Sequence, residues 1–256
     1  MIKFLVTILG LAVAATPVIA RMGAVVASFP SPTTNAPWGL ARSNDYLYVL
    51  VYSSPNRVYL LRWTNGSVLS SWITPRADGN RGLAYSWGGH VWIGCYQNDT
   101  VYDCVDTTGS VRTSWSAGHD PYGLAPNQIA DGGYGTTALY VRDSSPSYVW
   151  LQSLTNGSVQ SSFSIAHSSA SDFAYDHHNL TLWGPYGTNI YGYNRYSGLP
   201  VLSFQRPANA SVYGLAYHGY YLWVACSNRY IYVVHCPREY PAVQPATLGR
   251  VKALFR

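Results

Sequence analysis

Gly66-Ser67-Val68-Leu69-Ser70-Ser71-Trp72 recurs as Gly109-Ser110-Val111-Arg112-Thr113-Ser114-Trp115 and as Gly157-Ser158-Val159-Gln160-Ser161-Ser162-Phe163. A fourth copy runs from Gly198 to Ser203-Phe204, with Pro200 where valine stands elsewhere. A fifth, Gly23-Ala24-Val25-Val26-Ala27-Ser28-Phe29, lies near the opposite end of the chain. In all five the aromatic stands six residues after the glycine with serine just before it, and the glycines are 43, 43, 48 and 41 residues apart. Spacing this regular marks a repeated structural unit.

A second phrase is interleaved with the first: Trp38-Gly39-Leu40-Ala41, Arg81-Gly82-Leu83-Ala84, Tyr122-Gly123-Leu124-Ala125 and Tyr213-Gly214-Leu215-Ala216. Ser171-Asp172-Phe173-Ala174 is a degenerate fifth copy in which aspartate replaces glycine. Each leads into an alternating segment such as Tyr46-Leu47-Tyr48-Val49, and then into a third such as Arg57-Val58-Tyr59-Leu60. Asn65-Gly66, Thr108-Gly109, Asn156-Gly157 and Ser197-Gly198 suit tight hairpin turns, because glycine accepts a positive φ. Four short strands at a period of about 40–50 residues predict an all-β, five-bladed β-propeller. The small Gly-Leu-Ala strand fits the crowded innermost position, and the strand ending in the aromatic fits the outer edge. The last unit, from Tyr213 to Cys236, holds three strands, and Gly23–Phe29 is the strand it lacks. The N-terminal strand is therefore expected to complete the fifth blade and close the ring. An open sandwich or solenoid would give that segment no reason to copy the last strand of a repeat.

The composition of the 256 residues is unusual for a solvated surface: 48% are hydrophobic, 15% aromatic and only 11% charged. Lys3 and Lys252 are the two lysines among 16 basic residues, and Glu239 is the single glutamate. Twenty-three tyrosines, with serine, asparagine, threonine and glycine, supply the polarity. So few ions oppose association weakly. The formal charge of +5 is scattered, which excludes a clustered basic face and with it nucleic-acid binding.

Met1-Ile2-Lys3, an apolar run from Phe4 to Ala15, and Thr16-Pro17-Val18-Ile19-Ala20 form the pattern of an export signal cleaved before Arg21. The run is shorter than the roughly 20 residues that span a bilayer, and no other stretch is a candidate. The expected organisation is a signal peptide over 1–20, a propeller over 21–236 and a Pro-rich tail over 237–256, in a protein secreted to the cell exterior or surface.

The cadence of Gly-Leu-Ala, a Leu-Trp-Val strand and Gly-Ser-Val ending in Ser-Phe or Ser-Trp resembles secreted propellers of the NHL-like and glutaminyl-cyclotransferase-like superfamily over residues 23–236. The resemblance implies the fold. It carries no activity across, because cyclotransferases of this kind rely on a glutamate near the channel and the related lactonases on a glutamate metal ligand. Here Glu239 lies beyond the last blade. No phosphate loop, dinucleotide fingerprint, nucleophile elbow or zinc-protease helix is present either. The chain is expected to be non-enzymatic, without cofactor or metal.

Cys95 and Cys104 lie in the second unit, and Cys226 and Cys236 in the fifth. Four cysteines in an exported chain favour disulfides, with Cys95–Cys104 and Cys226–Cys236 preferred. Turns at Asn98-Asp99 and Asn228-Arg229 would make each pair diagonal rather than opposite, so the register stays open. Asn65, Asn98, Asn156, Asn179 and Asn209 stand in glycosylation sequons, although turn chemistry already accounts for Asn65 and Asn156.

Trp38, Arg81, Ser171, Tyr122 and Tyr213 occupy equivalent places just before the innermost strands, where they would ring one mouth of the channel. Either they close it by packing, or the aromatics form a platform for glycan or peptide. The loops leading to those strands also carry Arg76, Asp78, His119, Asp120, His167 and Arg206. Asp176-His177-His178 reads as a polar hairpin. After three prolines, Val251, Leu254 and Phe255 offer an apolar segment suited to docking on a second copy, either as an added strand or in a groove. Composition and tail together point to a structural subunit that self-assembles into a filament, tube or surface layer. A monomeric module recognising glycan or peptide is the alternative.

Overall fold

The computed structural model describes residues 21–127, 137–143, 148–167 and 171–236. Twenty antiparallel strands form five four-stranded sheets arranged as a ring, a five-bladed β-propeller. Blade 1 holds β2 (Pro37–Arg42), β3 (Tyr46–Val51), β4 (Arg57–Arg62) and β5 (Val68–Ile73). Blade 2 holds β6 (Asn80–Ser86), β7 (His90–Cys95), β8 (Thr100–Val105) and β9 (Val111–Ser116). Blade 3 holds β10 (Gly123–Pro126), β11 (Ala138–Arg142), β12 (Tyr148–Ser153) and β13 (Val159–Ser164). Blade 4 holds β14 (Ala174–Asp176), β15 (Thr181–Tyr186), β16 (Asn189–Asn194) and β17 (Pro200–Gln205).

Blade 5 is built from both ends of the described chain. It runs β18 (Val212–His218), β19 (Tyr221–Cys226), β20 (Tyr230–His235) and then β1 (Val25–Pro30). Ala27 faces Val233, Ser28 faces Tyr232 and Phe29 faces Ile231. Beyond the strand, Gly23 donates its N–H to the His235 carbonyl at 3.0 Å, and His235 donates to the Ala24 carbonyl at 2.9 Å. The expected seam is present.

The apolar core is divided into five clusters, each between two neighbouring blades. One gathers Phe29, Leu40, Leu47, Val49 and Trp223 across blades 5 and 1, and another Tyr48, Leu50, Trp72, Leu83 and Ile93 across blades 1 and 2. This follows from the sequence alternation. The middle strands are buried on both sides, whereas the outer strands bury little besides their terminal aromatic.

The glycines of the innermost strands allow the ring to be this tight. A Cβ at Gly39 would lie 2.7 Å from the Arg81 carbonyl oxygen of blade 2, and one at Gly214 would lie 3.0 Å from the main chain of blade 1. Backbone meets backbone there, with no room for a methyl group.

The cysteine pairing expected from the sequence is corrected. Cys95, Cys104, Cys226 and Cys236 are all buried, and no disulfide joins them. In the β7–β8 register Cys104 faces Val91 while Cys95 faces Thr100, so the two sit at opposite ends of the hairpin. Four strand positions are about 13 Å, well beyond the roughly 7 Å that a disulfide can bridge. Cys226 ends β19 at one edge of blade 5, whereas Cys236 donates its N–H to the Tyr220 carbonyl at the other. Cys95 and Cys226 each end the second strand of their blade, but Cys104 lies within β8 and Cys236 beyond β20, so similar offsets do not make equivalent pairs. Burial pushes the Cys104 and Cys226 thiols up to about 12.

Candidate functional site: the channel axis and its upper mouth

Four of the five blades carry the glycine of the Gly-Leu-Ala phrase at their innermost strand, and at the equivalent place in blade 4 stands Asp172. Its side chain is 1% exposed and lies on the axis of the ring. One carboxylate oxygen accepts the Leu40 N–H of blade 1 at 3.2 Å. The other accepts the N–H groups of Leu124 in blade 3 and Phe173 in blade 4, each at 3.0 Å. Leu83 of blade 2 also donates its backbone N–H to this carboxyl group. Asp172 in turn donates its own N–H to the Tyr213 carbonyl of blade 5 at 3.2 Å. One residue thus bonds to all five blades. Burial drives its carboxyl well above the ordinary range, against the pull of the four N–H donors. On the far side, Leu40, Leu83, Leu124, Phe173 and Leu215 border a cavity of about 30 Å³. That is room for one or two waters, far below a typical ligand pocket.

Arg142, 1% exposed, supports this plug from β11. It donates to the Ser171 carbonyl at 3.4 Å and lies 5.0 Å over the Phe173 ring. Burial pulls its guanidinium down to about 10.

Above the plug, the sequence-predicted residues Trp38, Arg81, Tyr122 and Tyr213 do come together. The Arg81 guanidinium lies 3.2 Å over the Trp38 ring and 5.3 Å from that of Tyr122. Two residues that the repeat phrase does not mark complete the cluster: Tyr96 at 5.1 Å and Tyr52 at 5.9 Å from the guanidinium. Trp38 stacks on Tyr52 at 4.9 Å and on Tyr213 at 5.3 Å, and Tyr96 lies 5.1 Å from Tyr122. Both added tyrosines directly follow the second strand of their blade, a parallel visible in the sequence. Burial raises the Tyr122 hydroxyl, and Arg81 opposes it. Among the described residues Arg81 has no ion pair, and its Nε is buried without an acceptor.

The remaining mouth residues do not converge on one point. His119 stacks at 5.0 Å on Trp150, and burial lowers its pKa below the usual value. His167 stacks on Tyr191 at 4.6 Å. The carbonyls of Arg76 and Asp78 accept from the Asn80 side chain at 2.8 and 3.2 Å. Asp176 accepts the N–H groups of His178 and Asn179, so Asp176-His177-His178 is the polar turn expected. No group of three metal-ligating side chains is found among the described residues.

Among the sequons, Asn65 and Asn156 accept the N–H groups of Ser67 and Ser158 in their turns. Asn98 donates to the Tyr102 hydroxyl, Asn179 donates to Asp176, and Asn209 lies in a short 3₁₀ turn at φ 53°. The signal segment, Glu239 and the tail residues Val251, Leu254 and Phe255 lie outside the described residues.

No protein-family profile and no curated protein sequence matches the chain. Solved structures do. Glutaminyl cyclase from Myxococcus xanthus superposes with a TM-score of 0.63 at 10% identity, over 83% of this chain and 95% of that one. A chain of the mitotic checkpoint complex superposes with a TM-score of 0.54 at 11% identity, over 92% of this chain and 99% of that one. At such identities the likeness is one of fold, and the fold they share with this chain is the β-propeller.

Proposed function

We propose that the chain is a secreted, non-enzymatic propeller of the NHL-like and glutaminyl-cyclotransferase-like kind, and that it self-associates into a filament, tube or surface layer outside the cell. The observation that carries this reading is the character of the five outer strands. Among the described residues, β1, β5, β9, β13 and β17 each leave one main-chain edge unpaired around the rim of the ring. Val25, Val68, Val111 and Val159, equivalent in the repeat, are each about half exposed, at 47, 49, 48 and 51%.

Exposed edges are normally guarded by charge, proline or bulges. Each outer pair has one bulge, but four regular positions lie beside it. Pro200 guards β17 and Pro30 ends β1, while β5, β9 and β13 hold no proline. Arg112 is the sole charged residue on the five strands, and it donates to His90 Nε2 at 2.8 Å while His90 Nδ1 pairs with buried Asp103 at 2.9 Å. An apolar, uncharged edge invites strand addition by another copy. Val251, Leu254 and Phe255 supply a segment of matching character.

Negative-stain imaging of the exported protein tests this. Ordered polymers are expected, with loss on Val68→Lys/Val159→Lys and on removal of residues 237–256. Uniform monomers at high concentration would overturn it. The second reading, recognition of glycan or peptide, is favoured by the Arg81 cluster at the upper mouth.

A further inference from the structure

We infer that the upper mouth binds a saccharide bearing a carboxylate, a uronic-acid type of glycan, with Arg81 forking the carboxylate and the Tyr52–Trp38–Tyr213 stack carrying a sugar ring. This rests on the recognition reading and names its ligand class.

Stacking on Trp38 occupies the face of the guanidinium, while its five N–H donors lie in the plane and leave at the edge. Those donors meet no carboxylate among the described residues. A planar fork of this kind takes a planar carboxylate in two parallel bonds, strengthened where rings exclude water. Beside it, Tyr52 and Tyr213 stack on Trp38 with centroids 4.9 and 5.3 Å apart, and the half-exposed Tyr52 ring ends the stack. The outer face of that ring matches the apolar C–H face of a pyranose, and tyrosine hydroxyls can meet the sugar's own. A peptide carboxylate fits less well. Peptide termini are captured by converging main-chain N–H groups, and here the N–H groups of Leu40, Leu83, Leu124 and Phe173 are all engaged by Asp172.

Tryptophan fluorescence of the whole protein, titrated with oligoglucuronate, oligoglucose and a short peptide with a free carboxyl terminus, tests the inference. Oligoglucuronate should bind about tenfold or more tightly than oligoglucose at low salt, with the preference shrinking as salt rises. Arg81→Gln should abolish the preference, and Tyr52→Ala, a change at a half-exposed ring, should weaken both sugars. If Arg81→Gln fails the accompanying thermal-melt check, the salt dependence and Tyr52→Ala decide. Equal binding of the two sugars, or binding of the peptide alone, would overturn the ligand class while leaving a recognition role. No binding by any probe would overturn both.

Discussion

The ring of Trp72, at the end of the outer strand of blade 1, fills the space that a Cβ on Gly109 in blade 2 would need. The same relation joins Trp115 to Gly157, Phe29 to Gly66 and Phe204 to Gly23. The first and last residues of the repeated phrase are therefore partners, though never within one copy: each aromatic caps the turn of the next blade. Trp72 adds a hydrogen bond from Nε1 to the Asp106 carbonyl in that turn, at 3.2 Å.

This pairing predicts a graded loss of stability. Gly109 combines φ 71° with the Trp72 contact, so Gly109→Ala should cost about 2–4 kcal/mol from backbone strain plus overpacking. Gly118 has a similar φ of 74° but nothing within reach of a Cβ, so Gly118→Ala should cost only about 1–2 kcal/mol. Chemical denaturation of the two variants isolates the contact. Equal losses would mean that the ring yields freely.

The phrase was legible because both halves of the contact are fixed in type and spacing, and because a strand copied at the far end could only belong to the incomplete unit. The mouth was half legible. Trp38, Arg81, Tyr122 and Tyr213 precede a repeated motif, whereas Tyr52 and Tyr96 share only their place directly after a second strand, in no repeated phrase. Asp172 was visible as a break in a pattern, but its meaning depends on five backbones converging on one axis. The cysteines misled because offsets along a chain do not specify register across a hairpin.

Replacing Asp172 by the residue that its own repeat favours should harm the protein. Asp172→Gly leaves the N–H groups of Leu40, Leu83 and Leu124 without their acceptor in a buried place, at about 1–3 kcal/mol for each donor that water fails to reach. A lower melting temperature is expected, and an unchanged one would show that the plug is dispensable. The pH dependence follows from the raised carboxyl pKa. The folded state holds the Asp172 proton more tightly than the unfolded chain does. Its contribution is fully present below the unfolded value of about 4 and is lost as pH rises through the folded value. Wild-type stability should therefore fall relative to Asp172→Gly as pH is raised from about 4.

The four cysteines should titrate as thiols only after unfolding. Denatured without reductant, the protein should yield four reactive thiols per chain, and the native protein close to none, since all four are buried and the thiols of Cys95, Cys104 and Cys226 are raised by burial. Mass shifts after alkylation count them. Two or fewer thiols in the denatured, unreduced protein would require at least one bridge across a hairpin whose register, β7–β8 or β19–β20, holds its cysteines at opposite ends.

Closure of the ring depends on β1, so removing it should cost more than its few contacts suggest. A chain starting after Pro30 exposes the edge of β20, frees the turn of Gly66 from Phe29, and opens the cluster that holds Leu40, Val49 and Trp223. Phe29→Ala is the milder test. It removes an aromatic that is 8% exposed while leaving the main-chain ladder intact, and should cost about 3–5 kcal/mol. If the seam holds blade 5 to blade 1, amide exchange in both variants should quicken first in β20 and β2, the strands flanking the closure, and only later in blade 3 on the opposite side. Uniform quickening around the ring would mean that the propeller unfolds as one cooperative unit with no weak seam.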